Sequence, residues 1–84
     1  MVEYICRVCG SEYKSPTWDS ENGASFNICN CCGVEFGIQD SSYEGVIDYR
    51  NEWTLNGFQW IYKEFKPIDW NIEEQLKNIP DIWK

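Results

Sequence analysis

Apolar and polar positions along this 84-residue chain divide it into two halves with different patterns. From residue 41 onward the spacing is helical. Ser41 followed by Glu44 has the form of a capping box, in which the serine side chain accepts from a free first-turn amide while the glutamate reaches back. A helix is predicted from near Ser42 to just before Gly57, a residue suited to stop it. Tyr43, Val46, Ile47, Arg50, Trp53 and Thr54 share one face of that helix, and Glu44, Asp48 and Glu52 share the other. Phe58, Trp60 and Tyr62 then alternate with Gln59, Ile61 and Lys63, which predicts a short strand. Asn71 and Glu74 form a second capping-type pair, and Ile72, Leu76 and Ile79 predict a short helix from about Ile72 to Ile79, ending at Pro80.

The first half shows repetition instead of periodicity. Ile5-Cys6-Arg7-Val8-Cys9-Gly10-Ser11-Glu12-Tyr13 matches Ile28-Cys29-Asn30-Cys31-Cys32-Gly33-Val34-Glu35-Phe36 at an offset of 23 residues. Each copy has an apolar lead-in, two cysteines separated by two residues, a glycine, and then a glutamate and an aromatic. After Cys-x-x-Cys the chain must reverse so that its amides face the sulfurs, and glycine takes the positive φ of that turn without a Cβ clash. Between the copies, residues 14–27 contain Pro16, Asp19, Ser20, Asn22, Gly23 and Ser25, which predicts an exposed loop or loose hairpin anchored by Trp18 and Phe26.

Nineteen residues separate Cys9 from Cys29, inside the spacing expected when two Cys-x-x-Cys pairs share one tetrahedral zinc. Cys6, Cys9, Cys29 and Cys32 are therefore the predicted ligands of one Zn2+, and such a site contributes about 10–16 kcal/mol of apparent binding energy to folding in small peptides. Cys31 is set apart: Cys32 reproduces the glycine-following position of Cys9, and Cys29 lies at the matching distance before it. Cys31 is expected to be a thiol beside the site that does not ligate. A thioredoxin-like reading of Cys6 to Cys9 lacks the βαβ context it needs.

The two knuckles also resemble those of rubredoxins, which hold one iron with the same four thiolates, although Asn30 stands where rubredoxins carry proline. An iron electron carrier is the alternative that this likeness implies. A further resemblance, to the bacterial cysteine-rich CPCC family, is carried by Cys6-x-x-Cys9-Gly10, by Trp18 and Ser25-Phe26-x-Ile28, and by Cys29-Asn30-Cys31-Cys32-Gly33-Val34-Glu35-Phe36-Gly37. Trp53, Gly57 and Trp60 extend it into the second half. Asn30 replaces the family's proline and leaves all three cysteines of the run in place. Members are small proteins, some placed by gene context among immunity proteins of toxin systems.

The predicted architecture is a single α+β domain over residues 1–84. A small zinc-ribbon, rubredoxin-like unit spans 1–40, and a C-terminal helical segment spans 41–84. At this size a core alone gives only a few kcal/mol, so a metal staple is expected despite five Trp, five Tyr and four Phe. No stretch approaches 18 apolar residues and the N-terminal residues lack the pattern of an export signal, so the expectation is a cytoplasmic protein without a membrane span.

Seven basic against fourteen acidic side chains give a net charge of −7. Four thiolates and one Zn2+ would take it to about −9. That balance argues against a nucleic-acid-associated zinc ribbon, because phosphate backbones would be repelled. Catalysis is also disfavoured: there is no histidine, and a four-cysteine zinc has no open position for water. The remaining expectation is a non-catalytic binding protein. Its predicted partner surface is Glu44, Asp48 and Glu52 with Trp18 as an anchor, facing a basic protein such as a cationic bacterial toxin.

Overall fold

Repeated sequence gives repeated structure. In the computed structural model, which describes residues 2–84, the backbone bonds of the first knuckle recur in the second at the same offset. Cys6 N donates to Ser11 O as Cys29 N does to Val34 O, both at 2.8 Å. Gly10 N donates to Cys6 O as Gly33 N does to Cys29 O, both at 3.0 Å. Isolated antiparallel bridges join Ile5 to Glu12 and Ile28 to Glu35. Gly10 and Gly33 have φ of 85° and 86°, the left-handed conformation that the turn requires.

The predicted hairpin forms between the knuckles. Strands β1 (Val2–Glu3), β2 (Trp18–Asp19) and β3 (Gly23–Ala24) make an antiparallel sheet in that order, with Val2 opposite Asp19 and Trp18 opposite Ala24. Asp19 organises the β2–β3 turn by accepting from Glu21 N at 2.9 Å and Asn22 Nδ2 at 3.0 Å. Trp18 does anchor this region. Phe26 does not: it is 58% exposed, with φ of 61°, and its ring lies across Gly37, where a Cβ would meet it at 2.9 Å.

Helix α1 (Tyr43–Leu55) begins one residue later than a Ser41–Glu44 box would set it. Ser42 is the cap and accepts from Gly45 N at 3.1 Å, while Ser41 Oγ instead donates to Ile38 O. With Ser41 Oγ turned back to Ile38 O, Ser42 is left to cap, and the Gln39 carbonyl of the preceding loop comes so close to residue 45 that a Cβ there would overlap it. The helix ends as expected. Gly57, at φ 84°, donates to Thr54 O and Phe58 donates to Trp53 O, the two bonds of a Schellman stop. Val46 and Trp53 are buried on the inner side, Ile47 and Arg50 half-buried, and Glu44, Asp48 and Glu52 exposed; Tyr43 and Thr54, placed with the inner face by periodicity, are exposed as well.

The strand predicted from Phe58 is replaced by irregular chain followed by a 3-10 turn at Lys63–Phe65. Phe58 takes a positive φ to complete the helix stop, which breaks the extended run at its start. Ile61 N and Tyr62 N instead donate to Cys31 O and Asn30 O, both at 3.0 Å, so this segment lies against the second knuckle. Helix α2 (Ile72–Leu76) has the predicted cap, Asn71 accepting from Glu74 N at 3.1 Å, but stops before Ile79. A 3-10 turn at Asp81–Trp83 closes the described chain. The core is one cluster in which the cysteines pack with Val8, Val34, Phe36, Val46, Trp53 and Trp60.

Candidate metal centre

The knuckle turns aim four sulfurs at one point. Sγ of Cys6 lies 3.7 Å from Sγ of Cys32, Sγ of Cys9 lies 3.6 Å from Sγ of Cys29, and all four sulfurs are within 4.8 Å of one another. Four thiolates around one ion at about 2.3 Å would stand about 3.8 Å apart in a tetrahedron. A disulfide would need about 2.05 Å. The cysteines are free and at most 3% exposed. The arrangement therefore fits a closed four-sulfur site that could hold a metal ion, built from the four cysteines named as ligands from spacing.

Both knuckles are covered by the second half of the chain. The Gln75 carbonyl and Ile79 close over Gly10, and Ile61 and the Tyr49 hydroxyl close over Gly33. Arg50 reaches from α1 to the first knuckle, donating through Nε to Val8 O at 2.7 Å and through Nη2 to Arg7 O at 2.8 Å and Trp83 O at 2.6 Å. Burial lowers its pKa from the ordinary arginine value.

Burial and neighbouring sulfurs shift three of these thiols in opposite directions. Burial opposes ionisation of Cys29, but hydrogen bonds from Cys32, Cys6, Cys9 and Tyr13 outweigh it and hold its thiol far below the usual range. Cys9 and Cys32 are pushed upward, first by burial and then by hydrogen bonding to neighbouring sulfurs. Tyr13, whose hydroxyl donates to Cys29 Sγ at 2.9 Å, is raised by burial and then by the Cys29 charge. A cation held among four buried sulfurs would neutralise the charge that burial otherwise opposes.

The chain aligns with the uncharacterized protein YoaQ of Bacillus subtilis over 96 positions at 31% identity, spanning 93% of this chain and 76% of YoaQ. The chain belongs to the YoaQ family. No protein-family model matches this YoaQ-family chain, and no solved structure does.

The remaining predicted residues take different places. Cys31 is fully buried outside the group of four, and its sulfur accepts from Gln75 Nε2 at 3.3 Å. Gln75 also donates to Cys9 O at 3.1 Å and accepts from Trp70 Nε1 at 2.6 Å, linking α2 to both knuckles. Trp18 is half-buried and turned inward: its ring lies 4.0 Å from the Arg7 guanidinium and its Nε1 donates to Asp40 Oδ2 at 3.0 Å. Trp83 stacks on the other side of Arg7 at 4.2 Å. Glu44, Asp48 and Glu52 remain on the exposed side of α1, and among the described residues none of them forms an ion pair.

Tyr13 and Arg7 are the residues that sequence reasoning passed over. Tyr13 could have been found, since it is the position where a hydroxyl in one copy of the repeat faces a phenylalanine in the other. Arg7 gives no such signal: its Nε and Nη2 meet Glu3 at 2.9 and 2.6 Å and its Nη1 meets Asp40 O at 2.9 Å, a convergence made only by folding.

Proposed function

We propose that this chain is a non-catalytic, zinc-stabilised protein-binding module of the cytoplasm that acts as an immunity protein against a cationic bacterial toxin. The observation that carries the reading is the contrast between a sealed four-sulfur centre and an open acidic helix face. Because all four sulfurs are buried, an ion held there would have a structural part, and zinc suits a closed thiolate tetrahedron. Glu44, Asp48 and Glu52 repeat every four residues, where each like-charge pair costs a helix about 0.2–0.5 kcal/mol. No cation of the described chain pairs with them, which leaves the stripe to a basic partner. The resemblance to the CPCC family, some of whose members sit among immunity proteins, supports the same role. Trp18 is committed to Arg7 and Asp40, so the proposed surface is the three carboxylates.

The test is protection. Cationic toxin domains are co-expressed with the wild-type chain and with a Glu44→Gln, Asp48→Asn, Glu52→Gln variant, starting with any encoded next to its gene. Wild type restores growth and the variant does not; equal protection by both would remove the acidic face from the proposal. Metal analysis of the purified protein gives one zinc and no colour, whereas red protein with one iron would make the chain an electron carrier instead.

A further inference from the structure

The repeat breaks at one chemically meaningful position. Tyr13 of the first copy corresponds to Phe36 of the second, and the two are placed alike: Tyr13 N donates to Tyr4 O as Phe36 N donates to Asn27 O. Their rings meet edge to face with centroids 5.8 Å apart. Only Tyr13 carries a hydroxyl, and that hydroxyl crosses to the opposite knuckle.

Its oxygen lies 2.9 Å from Asn30 N and 2.9 Å from Cys29 Sγ. A backbone amide can only donate, so the oxygen accepts from Asn30 and its own proton is directed to the sulfur. The orientation is therefore dictated by the main chain. The donor exists because residue 30 is asparagine; proline, which occupies this place in the CPCC run, has no amide hydrogen. Among the described residues Cys29 is the one sulfur of the four that accepts from a hydroxyl, and Cys6, its counterpart in the repeat, has no such bond.

The same tyrosine separates the centre from solvent. With Asn30 it lines an open groove of about 620 Å³ bordered by Lys14, Phe26, Ile28 and Tyr62. Cys29 itself is fully buried behind it.

We propose that Tyr13 is a positioning residue for the metal, holding the Cys29 sulfur through its hydroxyl and screening it from the groove, with Asn30 N–H setting the direction of that hydrogen bond. The inference rests on the reading of the four cysteines as a metal site. A hydrogen bond to a metal-bound thiolate draws charge from the sulfur, making it less nucleophilic and less prone to protonation. The bond thus retains the ion from the side that faces the groove.

The experiment uses the full chain loaded with zinc, and in parallel with Co2+. Iodoacetamide alkylation is followed for each cysteine by mass spectrometry, and the sulfur-to-cobalt charge-transfer band is recorded. In Tyr13→Phe, which adopts the ring already present at position 36, Cys29 is alkylated roughly tenfold faster, the size expected for loss of one hydrogen bond to a charged group. Chelator competition shows about 10- to 100-fold weaker zinc binding, and the cobalt band moves to lower energy. Asn30→Pro shifts the same readouts in the same direction, while Asn30→Ala, which keeps the amide, matches wild type. An unmoved band, or alkylation that rises equally at all four cysteines, overturns the proposal, because a loosened fold would expose every sulfur. A wild-type chain that takes up no metal removes the site and this inference together. A wild type that loads one ion and a Tyr13→Phe variant indistinguishable from it remove this inference alone.

Discussion

The backbone oxygen of Gln75 occupies the place where a Cβ on Gly10 would project. Helix α2 can approach the first knuckle this closely only because residue 10 has no side chain. Gly10 thus serves twice, by its φ of 85° and by the space it leaves. Gly10→Ala should cost about 1–3 kcal/mol of stability from the left-handed backbone alone, with the carbonyl clash in addition. Gly33 has nearly the same φ, but its close neighbour is the side chain of Ile61, which is 54% exposed, and not a backbone atom. Gly33→Ala should therefore cost less. Thermal denaturation of the two metal-loaded variants gives the order, and the reverse order would contradict the contrast between backbone and side-chain contact.

Arg7 is gripped on every side, its guanidinium between the rings of Trp18 and Trp83 and its nitrogens on Glu3 and the Asp40 carbonyl. A lysine keeps the charge but neither the planar stack nor the two-pronged pairing. Arg7→Lys should destabilise the protein by about 2 kcal/mol, combining a lost desolvated cation–π contact with a weakened charged hydrogen bond. Denaturant titration followed by tryptophan fluorescence measures it; a loss below the scatter of exposed ion pairs would mean that the cluster is merely compact.

Metal removal should take the fold with it. The five cysteines belong to the main core cluster, so stripping the ion leaves buried sulfurs to be rehydrated or mispaired. Chelation is expected to give cooperative loss of circular dichroism. Cys31→Ser should leave the stoichiometry at one ion per chain, since its sulfur stands outside the group of four. Loss of the ion in that variant would place Cys31 among the ligands.

The hairpin turn supplies a pH dependence independent of the sulfurs. Glu21 N–H, followed by the Asn22 amide, donates to Asp19 and holds its carboxyl below the usual 3.8. The folded turn therefore favours the ionised form. Its contribution is present above the unfolded value of 3.8 and is lost as pH falls through the lower folded value. An NMR titration should show Asp19 titrating below 3.8, with the Glu21 amide shifting in step, and Asp19→Asn should abolish that amide shift. A midpoint at or above 3.8 would exclude the turn as a stabilised carboxylate site.

What the sequence disclosed and what it withheld follow from the range of the interactions. The knuckles were legible because their chemistry is local: two cysteines, a glycine and an apolar lead-in lie within a few residues, and the repeat states the pattern twice. The Gly57 stop and the Asn71 cap were legible for the same reason. The Ser41 box missed by one residue because Ser41 Oγ turns back to Ile38 O, a bond outside the capping pattern, which leaves Ser42 to accept from Gly45 N. The alternation at Phe58 to Tyr62 reflects packing along the second knuckle through Cys31 O and Asn30 O, a contact between segments about thirty residues apart that periodicity does not encode. Trp18 pointed toward a partner surface only while the buried cation beneath it was unknown.

The fate of the cations changes how this molecule behaves among its own copies. Arg7 and Arg50 are turned onto internal groups, Lys77 and Lys84 pair with Glu74 and Asp81, and Lys66 rests 5.1 Å from the Trp70 ring. Lys14 and Lys63 stay exposed without an ion pair among the described residues, yet fourteen acidic against seven basic side chains leave the net charge at −7. At physiological salt that field extends about 8 Å, enough for two approaching copies to repel before their exposed Phe26, Phe65 and Ile68 side chains can touch. The excess of carboxylates is therefore also a colloidal safeguard, one that weakens as salt rises or as the solution is acidified toward the sequence pI of about 4.3.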